Sequence, residues 1–416
     1  MAEPIATGRR AAFAFIFVTV ALDMLALGVM IPVLPRLVVA FRGGDVASAA
    51  SVVGWFGLVW AGGQFLFSPV VGALSDRYGR RPVVLLSNFG LGLDYLVMAL
   101  APSLAWLFVG RVISGITASS FSTAGAYVAD VTPPQERAAK FGMLGAAFGL
   151  GFIVGPAVGG LLGAIDLRLP FWVAAGLSLA NAAYGFFVLP ESLPPERRVK
   201  SSWRMANPVG SLVMVRARPA LVGLVVAAFL YYVGHEVWPS LFVLYSGYRY
   251  GWGERAVGLA LAAVGVCSML VSVFLVKVAV NRLGEWGTLL AGLGSGMLGA
   301  LAGGLATSGT LFALSIPFGG LMGLTMPALQ SLMTARVGPT EQGRLQGVVS
   351  SVQGIAFMLG PVLFTQVFGR VIGPRAMAQL PGAPYFVAAA LLLGAMVAAR
   401  VSARGGIVVP SAVVAD

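Results

Sequence analysis

Twelve apolar runs, each of about 20 residues, occupy most of this chain and leave it few folds to choose from. They fall approximately at 11–34, 51–74, 83–101, 104–128, 138–163, 169–189, 219–245, 254–278, 287–306, 310–335, 343–371 and 381–401. At 1.5 Å per residue each run as a helix reaches across about 30 Å of hydrocarbon. A segment in hydrocarbon must satisfy its own backbone N–H and C=O groups, which a helix does and an isolated strand does not. With 58% hydrophobic and 10% charged residues among 416, and a mean hydropathy of +0.90, the chain has too little polar surface to cover a water-soluble globule. The expected fold is therefore an all-α membrane protein of twelve transmembrane helices in two pseudo-symmetric bundles.

The pseudo-symmetry is read from a repeat. GALSDRYGRRP, Gly72 to Pro82, has a diluted copy in KVAVNRLGE, Lys277 to Glu285, at an offset of 205 residues. At the same offset Gly155-Pro156 falls on Gly360-Pro361, Gly142 on Gly347, Gly115 on Gly320, and Pro134 to Glu136 on Pro339 to Glu341. Matches at glycines, prolines and charges, all at one spacing, indicate two tandem halves, and transporters built from repeats place their site between them. The expected organisation is a bundle over 1–190, a linker over 191–218 and a second bundle over 219–416.

Of the 27 Lys and Arg residues, 19 lie at the termini, in the linker or in loops on that side, 7 lie in loops on the other side, and Arg111 lies inside a run. Basic residues favour the cytoplasmic face, so both termini are expected in the cytoplasm of a bacterial inner membrane. The net charge of +12 follows this loop bias and is not gathered on one polar element, which excludes a nucleic-acid partner. Cys267 is the only cysteine, which rules out an intrachain disulfide and leaves it a packing role. The first run is long and carries Asp23, so it is expected to be kept as a span and not cleaved as a leader.

Ionisable groups inside the runs are few: Asp23, Asp94, Arg111 and the pair His235-Glu236. Such groups are costly in hydrocarbon and mark functional positions. Counting helix steps puts Asp23 at about 18 Å, Asp94 at about 16 Å and Arg111 at about 20 Å from the cytoplasmic end, a single layer near the midplane. Asp23 and Asp94 are expected to take up protons or to face a cationic substrate. His235-Glu236 is placed about 25 Å along its run, near the outer mouth. Tyr231, Tyr232 and Trp238 surround it, and a carboxylate among aromatic rings suits an organic cation or a second proton. The expected cavity lining is Gln64, Tyr231, Tyr232, Trp238 and Gln330.

In the fifth run Gly151, Gly155 and Gly159 recur on one helical face, where another backbone can come close, and Pro156 permits a bend. GLGFIVGPAVGG, Gly149 to Gly160, resembles the helix 5 signature of proton-coupled drug antiporters. GALSDRYGRRP resembles the loop between helices 2 and 3 of the major facilitator superfamily. LDMLALGVMIPVLP (Leu22 to Pro35), LDYL (Leu93 to Leu96) and GRVISGITAS (Gly110 to Ser119) narrow the resemblance to tetracycline-resistance-type exporters. The resemblance implies that Gly72 lets helices 2 and 11 approach. It implies that Asp76, Arg77, Gly79, Arg80 and Arg81, with Asp130 and Glu191, form a cytoplasmic gate, and that the helix 5 face seals the halves when the cavity opens outward. It also implies a small-molecule substrate, protons as the coupling ion, no cofactor and no metal, in a protein for which a monomer suffices. Where those exporters carry a histidine in helix 8 and an aspartate in helix 9, this sequence has Ser268 and Gly296, which implies a ligand other than tetracycline.

With one histidine and one cysteine the chain holds neither an H-E-x-x-H nor a His/Cys zinc site, and GLGSG, Gly292 to Gly296, is not a nucleophile elbow, so no enzyme is expected. No phosphate-binding loop provides an ATP motor. The expected function is proton-coupled export of small amphipathic compounds by alternating access. The alternatives are a symporter or facilitator importing a nutrient, siderophore or cell-wall fragment and, more remotely, a receptor that does not transport.

Overall fold

A computed structural model describes residues 3–117, 120–198, 219–338, 341–374, 376 and 379–404. The later part of the expected linker, 199–218, and the repeat match at 339–340 lie outside the described residues. The described chain is helical throughout its apolar runs. Span 1 is Glu3–Met30, a turn, and Leu34–Phe41; span 2 is Val46–Tyr78; span 3 is Arg80–Leu100; span 4 is Leu104–Thr117 with Ser120–Val131. Span 5 is Arg137–Gly163, span 6 is Leu169–Val188, and span 7 is Pro219–His235 with Val237–Tyr250. Glu254–Leu270, Val271–Leu275 and Val276–Leu305 join into one helical stretch of 52 residues, far longer than a bilayer is thick. That stretch is two spans, because Gly284 breaks it with φ 67° and ψ 177°. Spans 8 and 9 therefore meet at Gly284. Span 10 is the broken run Gly309–Leu314, Ile316–Leu321, Met322–Leu324 and Thr325–Thr334; span 11 is Gln342–Ile372 and span 12 is Ala383–Arg404.

The ends of spans are set by identifiable groups. Asp45 caps span 2 by accepting from the backbone N–H of Ala47 at 3.0 Å and of Ser48 at 3.2 Å, and these bonds hold its carboxyl below the usual range. Arg168, entering span 6, donates to the carbonyls of Ala99 and Ala101 at 2.8 Å each and so covers the end of span 3. Gly79 turns span 2 into span 3 with φ 106°, a region closed to side-chain-bearing residues at low cost. Gly284 makes the equivalent turn, and the repeat offset lays it on Gly79.

Two compact units result. One gathers the described residues of Met1–Asn207, Ser240–Val266 and Pro361–Gln379, and the other those of Pro208–Pro239, Cys267–Gly360 and Leu380–Asp416. We call the side of the termini and linker proximal and the opposite side distal. The first unit thus includes the distal parts of spans 7, 8 and 11 with the first six spans. Each unit has its own apolar core, around Tyr95, Phe171 and Tyr127 in the first and Leu224, Leu329 and Val348 in the second.

Within each unit the repeated glycines receive the same kind of partner. A Cβ on Gly115 of span 4 would lie 2.9 Å from the Trp60 carbonyl of span 2, and one on Gly320 of span 10 would lie 2.9 Å from Cys267 of span 8. Gly155 of span 5 lies against Gly28 of span 1, and Gly360 of span 11 against Glu236 of span 7. In hydrocarbon, where lipid tails compete equally for apolar contacts, such close backbone approach is a main source of helix association. A Cβ at Gly155 would sit 2.6 Å from the Gly28 Cα, an overlap no rotamer relieves, whereas Gly142 on the same span has nothing within 4 Å. Gly155→Ala is expected to lower stability by about 1–3 kcal/mol through overpacking. Gly142→Ala should be neutral or stabilising by up to about 1 kcal/mol. Thermal unfolding of the two purified variants in detergent checks the difference, and equal melting temperatures would contradict it.

Candidate functional site

Three ionisable groups come together inside the first unit. Asp23 on span 1 is 6% exposed and Asp94 on span 3 is 0% exposed, so both are sealed from water in this conformation. Asn181 of span 6 donates its Nδ2–H to Asp23 Oδ1 at 3.2 Å and also to the Thr19 carbonyl at 3.2 Å, which fixes the carboxylate against span 1. Asp94 fits beside Gly110 of span 4, where a Cβ would come within 2.8 Å of Oδ1. Arg111 follows Gly110 and acts on Asp94 through its charge, while its guanidinium lies over the Trp60 ring at 5.2 Å and Nη1 donates to Met30 Sδ at 3.9 Å. Tyr95, 1% exposed, is within electrostatic reach of Asp23, Asp94 and Arg111 together. Tyr95 thus connects Asp23 with Asp94 and Arg111, in groups drawn from spans 1, 3, 4 and 6. Asn181 was not among the expected residues, although a carboxamide inside the sixth run is itself a polar signal.

On the proximal side, Arg80 is the hub of the expected charge network. Its side chain reaches Asp76 Oδ1 at 2.6 Å, Asp130 Oδ2 at 3.0 Å and Ser75 Oγ at 2.9 Å, and its backbone N–H donates to Glu191 Oε1 at 2.8 Å. Arg81 donates through its backbone to Glu191 Oε2 at 3.3 Å and through its side chain to the Phe186 carbonyl at 2.6 Å. The Glu191 carboxylate occupies the space that a Cβ on Gly79 would need. The network therefore ties the turn between spans 2 and 3 to the ends of spans 4 and 6, all in one unit. The Arg77 guanidinium lies 5.2 Å from the Tyr78 ring centre, and a Cβ on Gly72 would meet no described atom within 4 Å.

The helix 5 glycines receive span 1 at close range. Gly151, Gly155 and Gly159 pack on Met24, Gly28 and Val29 of span 1, a contact inside the first bundle. The neighbouring face carries the contact to span 8: a Cβ on Gly160 would lie 2.8 Å from the Gly258 Cα, and one on Gly258 would run into the Pro156 carbonyl. Alternate faces of one glycine-rich helix thus serve two neighbours, which the fourfold spacing alone does not reveal. Distal closure within this unit is completed by Arg36, counted earlier only as a loop cation. Its Nε lies 3.7 Å from Glu254 Oε1 and its Nη2 donates to the Trp252 carbonyl, while Gln366 donates to Ser51 Oγ at 2.7 Å.

In the second unit Glu236 occupies the break between the two helices of span 7, with 17 residues of helix before it and 14 after. The 17 residues before it place it about 25 Å from Pro219 at 1.5 Å per residue, and the helix continues for 14 residues beyond it to Tyr250. His235 Nδ1 is 3.9 Å from Glu236 Oε1, and Tyr231 and Tyr232 lie one turn below. Trp238 packs instead on Tyr385 at 5.1 Å and Phe312 at 6.4 Å, within its own bundle. Gln64 and Gln330, each half-buried, belong to different units. Ser268 is exposed, and Gly296 packs on Met322 and Leu392. No group of three or more His, Cys, Asp or Glu able to hold a metal occurs among the described residues.

The chain is 36% identical over 386 residues to the tetracycline resistance protein, class C, of Escherichia coli, covering 92% of this chain and 94% of that protein. It is 35% identical to the class G protein of Vibrio anguillarum, covering 85% and 89%. The crystal structure of the nucleoside transporter NupG superposes with a TM-score of 0.74 at 13% identity over 94% of this chain and 99% of that one, a likeness of fold. The sequence pattern of the Major Facilitator Superfamily matches residues 14–361. This multi-pass membrane chain belongs to the Major Facilitator Superfamily.

Proposed function

We propose that this chain exports small amphipathic compounds across a bacterial cytoplasmic membrane in exchange for protons. The proximal side faces the cytoplasm, the halves 1–190 and 219–416 rock about a central site, and one copy of the chain suffices. Relatives named for tetracycline resistance, at 36% identity over nearly their whole length, support an efflux role. The observation that carries the coupling is the sealed layer of Asp23, Asp94 and Arg111.

A carboxylate with neither water nor a full set of donors is stable only when neutralised. Sealing the layer and neutralising its acids therefore go together, and wetting it from the cytoplasm frees the proton again. Arg111 supplies a fixed cation beside Asp94, so that the ionised form is tolerated once water enters. The exchanged protons travel on Asp23 and Asp94, with Asn181 holding Asp23 in place. The Arg80 network keeps the first bundle rigid, so that it swings as one body, and Arg36 latches the distal side between swings.

In liposomes with an imposed pH gradient, the protein is expected to move substrate against the proton flow, whereas uptake along with protons would establish an importer. Asp23→Asn and Asp94→Asn should each reduce gradient-driven transport to the level of empty liposomes while leaving substrate exchange without a gradient measurable; full driven transport in both variants would remove them from the proton path. Arg80→Lys keeps the charge but loses the planar fork that reaches three oxygens. Transport should fall about tenfold, in line with about 1.5 kcal/mol for one charged hydrogen bond. Arg36→Ala should speed labelling of a Ser51→Cys thiol by an impermeant reagent applied from the distal side, in a Cys267→Ser background, and an unchanged labelling rate would show that Arg36 is no latch.

A further inference from the structure

Among the described residues of its unit, no Lys or Arg forms an ion pair with Glu236. The other charged residues described in its unit lie between 277 and 285, between 336 and 344, and at 400 and 404, within about two helical turns of a span end. Glu236 lies at the break of span 7, 17 residues after its described start, and its ion-pair partner among the described residues is His235, with Nδ1 at 3.9 Å from Oε1, too far for a hydrogen bond. Asp94 has Arg111 and Asp23 has Asn181; Glu236 has only a weakly placed imidazole.

The surrounding packing keeps room for this carboxylate. Gly360 on span 11 lacks a Cβ where the Glu236 stem runs, and a Cβ there would meet Cγ at 2.5 Å. Its repeat mate Gly155 uses the same space to receive the backbone of Gly28. The offset of the repeat lays Glu236 on Ile31, where span 1 also breaks. One half therefore fills this position with hydrocarbon and the other with an acid.

Aromatic rings lie one helical turn before the acid. Tyr231 lies 5.4 Å from Tyr232 and 6.1 Å from His235, and Tyr232 meets Phe357 of span 11 edge-on at 6.1 Å. The His235 side chain is 42% exposed and that of Glu236 11%, so the imidazole is the more accessible member of the pair. A buried negative charge lacking a protein cation is completed by a cation brought in from outside, and π-faces favour one that is weakly hydrated and delocalised.

We propose that Glu236, with His235 beside it and Tyr231 and Tyr232 one turn away, recognises lipophilic organic cations, which makes such compounds a substrate class of this chain. The assignment rests on the export reading for its physiological sense but is tested by binding, which requires no transport. A proton is the rival occupant of the carboxylate, and the test separates the two.

Binding of tetraphenylphosphonium to the full-length protein in detergent is measured by equilibrium dialysis for the wild type, Glu236→Gln and Glu236→Asp. The expected result is a dissociation constant raised about tenfold or more by Glu236→Gln and raised less by Glu236→Asp, which keeps the charge. Monodisperse elution of Glu236→Asp secures the comparison if Glu236→Gln misfolds. Transport of the same cation is then compared with that of an uncharged amphiphile of similar size, and the cation-to-neutral ratio should fall about tenfold in Glu236→Gln. Unaltered cation affinity in both variants, or an equal loss of cationic and neutral transport, would overturn the proposal, the latter by making Glu236 a proton carrier. Failure of the export reading would show in the direction of wild-type transport and leave the binding comparison intact.

Discussion

A carboxylate in hydrocarbon must be neutral, paired or wetted, and the choice made at each acid organises this structure. Asp23 is held by a carboxamide, Asp94 lies near a guanidinium, and Glu236 has only a loosely placed imidazole. At the proximal boundary, where water is at hand, Asp76, Asp130 and Glu191 converge on Arg80 and Arg81 with short, direct hydrogen bonds. Contacts at the boundary are close and numerous, whereas those in the interior are long and few. This contrast suits a rigid frame around groups whose charge state must change.

Glycine is the other half of the same arrangement. Asp94 rests on Gly110, Glu236 on Gly360 and Glu191 on Gly79, so each acid occupies space opened by a missing side chain. A span that presents a glycine gives a neighbour either its backbone or a polar side chain at close range. The first use binds helices where the hydrophobic effect does not, and the second lets a charged group sit between helices without prising them apart. Substituting such a glycine is therefore a change to an acid's environment as much as to packing.

Much of this was legible in the chain. The twelve spans follow from apolar length, and the duplication was visible in Gly79 and Gly284, whose shared left-handed backbone explains why glycine stands at both turns. The acids inside the runs could be picked out because charge is rare in hydrocarbon. Asn181 and Arg36 were harder to see, since an amide in an apolar run and a cation in a loop gain their meaning only from Asp23 and Glu254, which lie far away in sequence. The seventh run was ended at 245, whereas the helix continues to Tyr250. The glycine face of span 5 was recognised, but spacing on one helix cannot name the helix opposite.

The two halves share a frame and differ in its contents. Span 1 and span 7 break at equivalent points, and the glycine facing each break is equivalent too, yet one site holds Ile31 and a backbone contact while the other holds Glu236. The acids near a fixed arginine or amide all lie in the first half, where their charge can be set by the protein itself. Glu236, with an imidazole beside it, lies in the second. On the proposed division of proton handling and cation recognition, the second half changes its ligand by altering a single lining residue, while the energetics of the first stay as they are. A duplicated fold is suited to that division, because either copy can lose a function that the other retains.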